Sequence, residues 1–92
     1  MTEWTFLTNH AHVLLEVARD PDVTIESLAL TAALSTRSVK SILHDLEAGG
    51  YIERERRGRR THYILHGELP MRHPSDANHQ LSELMAVLAP TE

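Results

Sequence analysis

The clearest hydrophobic pattern in the chain runs from Ser35 to Leu46, in the sequence STRSVKSILHDL. Its apolar residues recur at the i, i+3, i+4 and i+7 spacing that places them on one face of an α-helix: Val39, Ile42, Leu43 and Leu46. Its polar residues repeat with the same spacing and fall on the opposite face: Arg37, Lys40, Ser41 and His44. Because the hydroxyl of Ser35 suits a helix N-cap, the stretch predicts a helix that presents a cationic, hydrogen-bonding face to solvent.

Two shorter helices are predicted before this one. The first has Thr8 or Asn9 as its N-cap and stops at Asp20-Pro21-Asp22, since proline disfavours helical geometry in the residue before it. The second is capped by Thr24. Their apolar faces are formed by Ala11, Leu14, Leu15 and Ala18, and by Ile25, Leu28, Ala29 and Ala32. Only a short turn around Leu34 precedes the third helix, and helices joined so closely cross at a steep angle, which predicts a helix-turn-helix.

A β-hairpin is predicted directly after the third helix. Gly49 and Gly50 suit a helix end that needs a positive φ, and strand-favouring residues follow over residues 51–55 and 61–65. Between them, residues 56–60 place Gly58 where a tight hairpin turn needs glycine. The predicted fold class is therefore mainly α with a small β-hairpin.

The C-terminal part is predicted to form a linker and one further helix. Residues 67–74 contain prolines and a glycine without hydrophobic periodicity, which indicates an extended linker. Residues 75–89 follow as a helix capped by Ser75 or Asp76, with apolar positions at Leu81, Leu84, Met85 and Leu88. A lone helix of this length is marginal in water, so it needs a surface to pack on. Trp4 and Phe6, near the N-terminus, are interpreted either as a dimer contact or as packing on the domain's own core.

The charge of the chain is unevenly distributed. The net charge is −4, which by itself argues against a nucleic-acid partner. The stretch between residues 35 and 62 is nevertheless net positive. It contains most of the Lys and Arg residues of the chain: Arg37, Lys40, Arg54, Arg56, Arg57, Arg59 and Arg60. A basic face on an acidic body can bind phosphates locally while the acidic remainder opposes non-specific binding.

The arginines around Gly58 admit two interpretations. Arg56, Arg57, Arg59 and Arg60 repel one another in the free protein, and arginine is well suited to bidentate phosphate contact and to insertion into a narrow minor groove. The alternative is a solvated turn in which Glu53 and Glu55 neutralise part of the charge. Because alternate residues of a strand face opposite sides, these glutamates leave some of the arginines unpaired, and phosphate binding is the favoured interpretation.

Other functional classes find little support in the sequence. A chain of 92 residues without cysteine indicates one domain and no disulfide, zinc ribbon or thiol chemistry. The seven histidines show no helical ligand spacing beside a carboxylate, so we expect no metal site and no cofactor. No nucleophile, base and orienting group can be picked out, so we expect no enzyme. We see no signal peptide and no apolar run long enough to span a membrane, and we expect a cytoplasmic protein.

Three segments carry a resemblance to a known family. LALTAALSTRSV, DLEAGGYIERE and RRGRRTHYIL together resemble the winged helix-turn-helix of bacterial transcriptional regulators of the MarR and ArsR type, over roughly residues 9 to 65. The resemblance implies that residues 35–46 enter the DNA major groove, that the hairpin (the wing) lies along the minor groove or backbone, and that residues 76–88 form a two-fold dimer. Two features depart from the family: Ala33 stands where many relatives have glycine, and the cysteine metal-sensing motif is absent.

We expect a homodimeric transcriptional regulator, acting as a repressor, that binds double-stranded DNA. Residues 1–66 form the DNA-binding domain, 67–74 the linker and 75–89 the dimerisation helix. The expected DNA-binding residues are Ser35, Thr36, Arg37, Ser38, Lys40, Ser41, His44, Arg57, Arg59, Arg60 and Thr61, with the hydroxyls and amides of the helix start on phosphates. The expected dimer residues are Trp4, Phe6, Leu81, Leu84, Met85 and Leu88. Two alternatives stay open: a protein-interaction module, and a switch with a small-molecule effector between the first and last helices.

Overall fold

Three helices open the fold, and a serine or threonine N-cap directly precedes each of them. The computed structural model describes residues 4–89. Helices α1 (Asn9–Arg19), α2 (Ile25–Ala32) and α3 (Thr36–Ala48) form the first half of the domain. The side-chain oxygens of Thr8, Thr24 and Ser35 each accept a backbone N–H from the first turn of the helix that follows. These caps are local hydrogen bonds, which is why the sequence predicted all three helix starts.

The turn between α2 and α3 is closed by a residue in the left-handed conformation. Ala33 has a φ of 57°, and the N–H of Leu34 donates to the carbonyl of Ala29 across the turn at 2.9 Å. Alanine is sterically disfavoured in this conformation and glycine is not, because the Cβ of alanine approaches the backbone. The strain that the sequence suggested at Ala33 is therefore present.

We expect Ala33→Gly to stabilise the protein. Relief of the left-handed strain should raise the free energy of unfolding by about 1 kcal/mol, or ~4–8 °C in Tm for a domain of this size. Thermal unfolding followed by circular dichroism measures this shift. The matched control is Ala32→Gly, one residue earlier inside α2, where glycine only weakens the helix and Tm should fall. A lower Tm for Ala33→Gly would contradict the prediction.

The hairpin extends further than the sequence indicated. Strands β1 (Ile52–Arg57) and β2 (Arg60–Leu65) are antiparallel, with Ile52 opposite Leu65 and Arg57 opposite Arg60. Only Gly58 and Arg59 are left in the turn, and Gly58 has a φ of 63°, as the first residue of a type II′ turn requires. The tight turn at Gly58 is therefore confirmed, and Arg56, Arg57 and Arg60, which were predicted in the turn segment, belong to the paired strands.

The core lies between the three helices and the inner face of the hairpin. The predicted stripe of α3 lies wholly in this core, and that of α2 is represented by Leu28 and Ala29. The α1 stripe was predicted wrongly in part: Val13 and Val17 join Leu14 in the core, whereas Ala11 and Ala18 are only partly buried. The full cluster, with one residue from each strand and one from α4, is Val13, Leu14, Val17, Leu28, Ala29, Val39, Ile42, Leu43, Leu46, Ile52, Tyr63 and Leu81. Burial raises the pKa of Tyr63. The fold is a winged helix-turn-helix, mainly α with a small β-hairpin, which confirms the predicted fold class.

The C-terminal part differs from the prediction in two ways. Residues 67–74 do not form an extended linker, because the N–H groups of Leu81 and Ser82 donate to the carbonyls of Leu69 and Gly67 at 2.9 and 2.8 Å. Helix α4 (Leu81–Leu88) begins at residue 81 instead of 75, and a single 3₁₀ turn, Pro74–Asp76, occupies the predicted start. Backbone pairing of this loop with the start of α4 replaces the helical turns that the capping residues alone suggested.

Helix α4 is also anchored to the domain more firmly than a free dimerisation helix would be. Leu81 is almost completely buried in the core, so it packs mainly against its own chain and offers little surface to a partner. At the other end, the guanidinium of Arg19 on α1 donates to the carbonyl of Leu88 at 2.9 Å. Burial at one end and this hydrogen bond at the other hold α4 against its own chain.

A carboxylate at the start of α4 joins two donors. Glu83 accepts the backbone N–H of Gln80 at 2.7 Å and contacts Nδ1 of His79 at 2.8 Å. The hydrogen bond with Glu83 raises the pKa of His79, and the same bond, helped by the Gln80 amide, lowers the pKa of Glu83.

We expect this pair to stabilise α4 only within a window of pH. The contribution of His79, whose pKa is raised, is complete below its ordinary pKa of 6.5 and is lost as pH rises through the higher folded value. The contribution of Glu83 to stability has the opposite dependence on pH, because its pKa is lowered. It is complete above the ordinary pKa of 4.5 and is lost as pH falls through the lower folded value. The Tm difference between the natural protein and His79→Gln, measured against pH, should therefore peak between these values. His44→Gln is the control, and a flat difference curve for His79→Gln would refute the idea.

Candidate nucleic-acid interface

The outer face of α3 projects away from the core as predicted. Arg37, Lys40, Ser41 and His44 are all exposed, whereas Val39 and Leu43 on the opposite side are completely buried. The helix is thus fixed by one face and offers two cations, a hydroxyl and an imidazole on the other. Such a helix has the width and the donor groups needed to enter a major groove.

The start of α3 offers fewer groups to a phosphate than the sequence suggested. The hydroxyl of Ser35 accepts the N–H of Ser38 at 3.1 Å and lies 3.0 Å from the Ser38 hydroxyl. These contacts use the Ser35 O–H and the Ser38 amide within the cap, whereas the Ser38 hydroxyl accepts in this pair and keeps its own O–H for an external acceptor. The N–H groups of Thr36 and Arg37, the first two residues of α3, have no partner within residues 4–89 and stay open to an anion.

The wing arginines divide into paired and unpaired side chains. Arg57 contacts Glu55 at 2.6 Å, and Arg54 contacts Glu47 on α3 at 3.2 Å. Arg59 and Arg60 are exposed and form no ion pair within residues 4–89. Both interpretations of the basic turn are therefore partly right: Glu55 neutralises Arg57, while the cations nearest the tip are left for an external anion.

A groove of about 630 Å³ lies between the wing and the start of α3. It collects five of the predicted DNA-binding residues from elements far apart in sequence: Thr36, Lys40, Arg59, Arg60 and Thr61. The other six do not line it: Ser35, Arg37, Ser38, Ser41, His44 and Arg57. We call this feature the wing groove. It is continuous with the exposed face of α3 through Lys40.

The wing groove also contains carboxylates that the sequence analysis missed. Asp20, Asp22 and Glu26 line it opposite the arginines. Asp22 contacts Nδ1 of His62 at 2.7 Å, and this hydrogen bond, assisted by the charges of His62, Arg57 and Arg60, lowers the pKa of Asp22. The hairpin reaches these residues because the N–H of Tyr63 donates to the carbonyl of Pro21 at 2.8 Å. Nothing local in the sequence signals that long-range pairing.

A second, more apolar groove lies on another side of the domain. It has a volume of about 720 Å³ and is bounded by the first turns of α1, the end of α3, the loop at Met71 and Arg72, and α4. We call it the α1–α4 groove. Its apolar lining residues are Ala11, Leu14, Leu46, Tyr51, Met71, Leu81 and Leu84.

The predicted dimer residues have different environments. Trp4 and Phe6 are 73% and 93% exposed and contact each other edge to face at 5.0 Å, so they do not pack on the core. Leu84 and Met85 are half-buried, and Leu88 is exposed together with the neighbouring Val87. Of the predicted dimer residues, those that are exposed are therefore the N-terminal aromatics and Leu88 at the end of α4.

The described residues give no sign of a metal centre or a membrane segment. Within residues 4–89, no three His, Cys, Asp or Glu side chains come together as metal ligands. No helix in that range combines the length and the apolar character needed to cross a bilayer. Four histidines instead contact carboxylates: His10, His62, His66 and His79.

Comparison with known families agrees with the geometry. A protein-family model described as the MarR family matches residues 5–60, more than half of the chain. The matched range takes in α1, α2, α3, the first strand and the turn of the wing. No curated protein sequence matches the chain at a significant level.

Proposed function

Because the chain belongs to the MarR family of transcriptional regulators, we propose that it is a homodimeric repressor that binds double-stranded DNA in a sequence-specific manner. The observation that carries the proposal is the alignment of α3 with the wing groove. Lys40 on α3 and Arg59 and Arg60 on the wing line the same concave surface, and none of the three is neutralised by an ion pair within residues 4–89. Three cations on one surface suit a run of phosphates.

The exposed face of α3 supplies the base-reading part of the proposal. Arg37 and Lys40 can donate to O6 and N7 of guanine, the commonest specific contact in the major groove. Ser41 lies beside them, and we propose that His44, one turn further along, contacts a phosphate. The open amides of Thr36 and Arg37 at the helix start provide a further phosphate contact.

The wing holds the neighbouring DNA surface. Arg59 and Arg60 would contact the backbone or the minor groove, with Thr61 as an adjacent hydroxyl donor. Arg57 contributes less than predicted because Glu55 already neutralises it. A two-fold dimer would place two copies of α3 about one turn of DNA apart, ~34 Å, on a near-palindromic operator.

The proposal is tested by binding the full chain to mixed genomic duplex fragments at several salt concentrations and sequencing those retained. We expect enrichment of a near-palindromic sequence with a steep dependence of affinity on salt. Absence of retention at about 50 mM salt, where phosphate contacts are strongest, would refute DNA binding. The protein-interaction module, which the exposed Trp4, Phe6 and Val87 would serve, then becomes the leading function.

A further inference from the structure

We infer that the α1–α4 groove receives the aromatic pair Trp4 and Phe6 of a second copy of this chain, and that the exchange is reciprocal. The inference deepens the proposed homodimer and rests on it. It assigns a receptor surface to the N-terminal aromatics, which the sequence analysis placed at a dimer contact without saying what they contact.

The first step is the exposure of the aromatic pair. Phe6 is almost fully exposed and Trp4 is largely so, and their rings contact each other at 5.0 Å with an interplanar angle of 82°. Two large aromatic side chains presented side by side form an exposed apolar projection that is costly in water. A partner surface that covers both rings would therefore be stabilised by their burial.

The second step is the chemistry of the groove. Met71 offers a polarisable sulfur, Tyr51 a ring, and Arg72 a guanidinium, and each of these groups interacts favourably with aromatic rings. Leu14 and Leu84 complete the apolar wall. Arg72 forms no ion pair within the described residues 4–89, which leaves its guanidinium available to lie against an indole face.

The third step is that the rings do not fill the groove of their own chain. Thr8 is on the groove's rim, only two residues after Phe6, and its backbone is extended, with a φ of −72° and a ψ of 166°. Despite this proximity, both rings stay exposed. A projection and a groove on the same chain can contact each other reciprocally between two copies, which is the arrangement of a two-fold symmetric interface.

The fourth step is the area that the exchange would bury. Trp and Phe side chains each bury about 150–250 Å², so four rings in two symmetric sites contribute roughly 600–1,000 Å². The walls of the two grooves expose much less surface than the four rings, so the total is on the order of 1,000 Å², the lower limit for a specific interface. The exchange therefore supports a reversible dimer, to which neighbouring contacts can add area.

The α1–α4 groove also lies away from the DNA-binding face. The α3 residues that line it are Asp45, Leu46 and Ala48, whereas those that line the wing groove are Thr36 and Lys40. At about 1.5 Å of rise per residue, the two ends of the helix are separated by more than 10 Å. A copy seated in this groove would leave the reading face of each α3 free.

The test uses the intrinsic fluorescence of Trp4, because it is the single tryptophan of the chain. The full-length protein is diluted from about 100 μM to about 10 nM, a span around typical dimer affinities, while sedimentation velocity measures its mass. We expect emission to shift to longer wavelength, and acrylamide quenching to increase, over the same concentrations at which the dimer dissociates.

Two variants test the two sides of the contact. Phe6→Ala removes a ring from the projection, and Ala11→Glu puts a carboxylate into the groove; each should raise the dimer Kd by roughly 30-fold or more. Because both disrupt the same contact, the double variant should be little worse than either single one. Leu30→Ala, which removes an exposed leucine from α2 outside the groove, is the control and should leave the Kd unchanged.

Three results would overturn the inference. A protein that is monomeric at all concentrations has no such dimer. A dimer in which Trp4 stays quenchable is formed by another surface, such as the end of α4. Protection of Trp4 that does not depend on concentration would place the rings in the groove of their own chain. None of these results decides whether the protein binds DNA. DNA binding is measured separately on a duplex with a single half-site. On that duplex, Phe6→Ala should bind as tightly as the natural protein.

Discussion

Alanine at both Arg37 and Lys40 should lower the affinity for the selected operator by roughly 30-fold or more, while affinity for unrelated DNA falls much less. A bidentate contact with a base contributes about 1–3 kcal/mol of discrimination, so the loss of two such side chains removes most of the sequence preference. Both side chains are exposed, so the fold should be unaffected and Tm unchanged. Titration of operator and scrambled duplexes at fixed salt measures the two affinities.

The matched comparison replaces the same number of cations on the wing. Arg59→Ala with Arg60→Ala should weaken binding to operator and scrambled DNA alike. The slope of log K against log salt should flatten by ~0.9 for each phosphate that the wing no longer neutralises. Leu30→Glu controls for a change in net charge, since Leu30 is exposed and lines neither groove. If the helix and wing pairs of substitutions weaken both duplexes equally, α3 does not read bases.

The carboxylates of the wing groove give a reason to expect that α3 reads bases while the wing contacts only phosphates. Asp22 and Glu26 lie in the same groove as Arg59 and Arg60, and the hydrogen bond with His62 lowers the pKa of Asp22. These acids repel any phosphate that approaches from their side, so favourable contact is restricted to the outer edge of the wing. Repulsion of this kind lowers affinity for wrongly placed DNA more than for a seated operator, which favours specificity over strength.

The parts of the fold that follow from local interactions were predictable from the sequence. Thr24 and Ser35 cap helices through hydrogen bonds to residues three positions later, and the apolar stripe of α3 packs as its spacing requires. The strain at Ala33 was predictable for the same reason, because a turn this short leaves few backbone conformations.

The parts that depend on distant segments were not predictable. Helix α4 begins at Leu81, where Gln80 and Glu83 form a local capping box that the sequence analysis missed. The pairing of residues 67–71 with residues 79–82, by contrast, has no local signal. The burial of Leu81 follows from the same loop. At the site, the sequence placed the cations on α3 and the wing correctly as exposed groups, but Asp22 joins them only because β2 pairs with the α1–α2 turn.

Truncation of Leu28 to alanine should destabilise the protein far more than any of the surface substitutions. Leu28 is fully buried in α2 and belongs to the core that supports α3. Removal of a buried leucine side chain costs about 2–5 kcal/mol, because apolar burial is lost and a cavity remains. A domain of this size has only about 5–15 kcal/mol in total, so Tm should fall by at least ~10 °C.

Leu30→Ala is the matched control for this loss, since Leu30 lies two residues further along the same helix and is 84% exposed. It removes the same atoms with the same change in helix propensity, so its free energy of unfolding should stay within about 0.5 kcal/mol of the natural value. Urea unfolding at matched protein concentration measures both variants, because dimerisation makes stability depend on concentration. Equal losses at the two positions would mean that the buried side of α2 does not face the core. The underside of α3 would then lack the support on which its DNA-reading face depends.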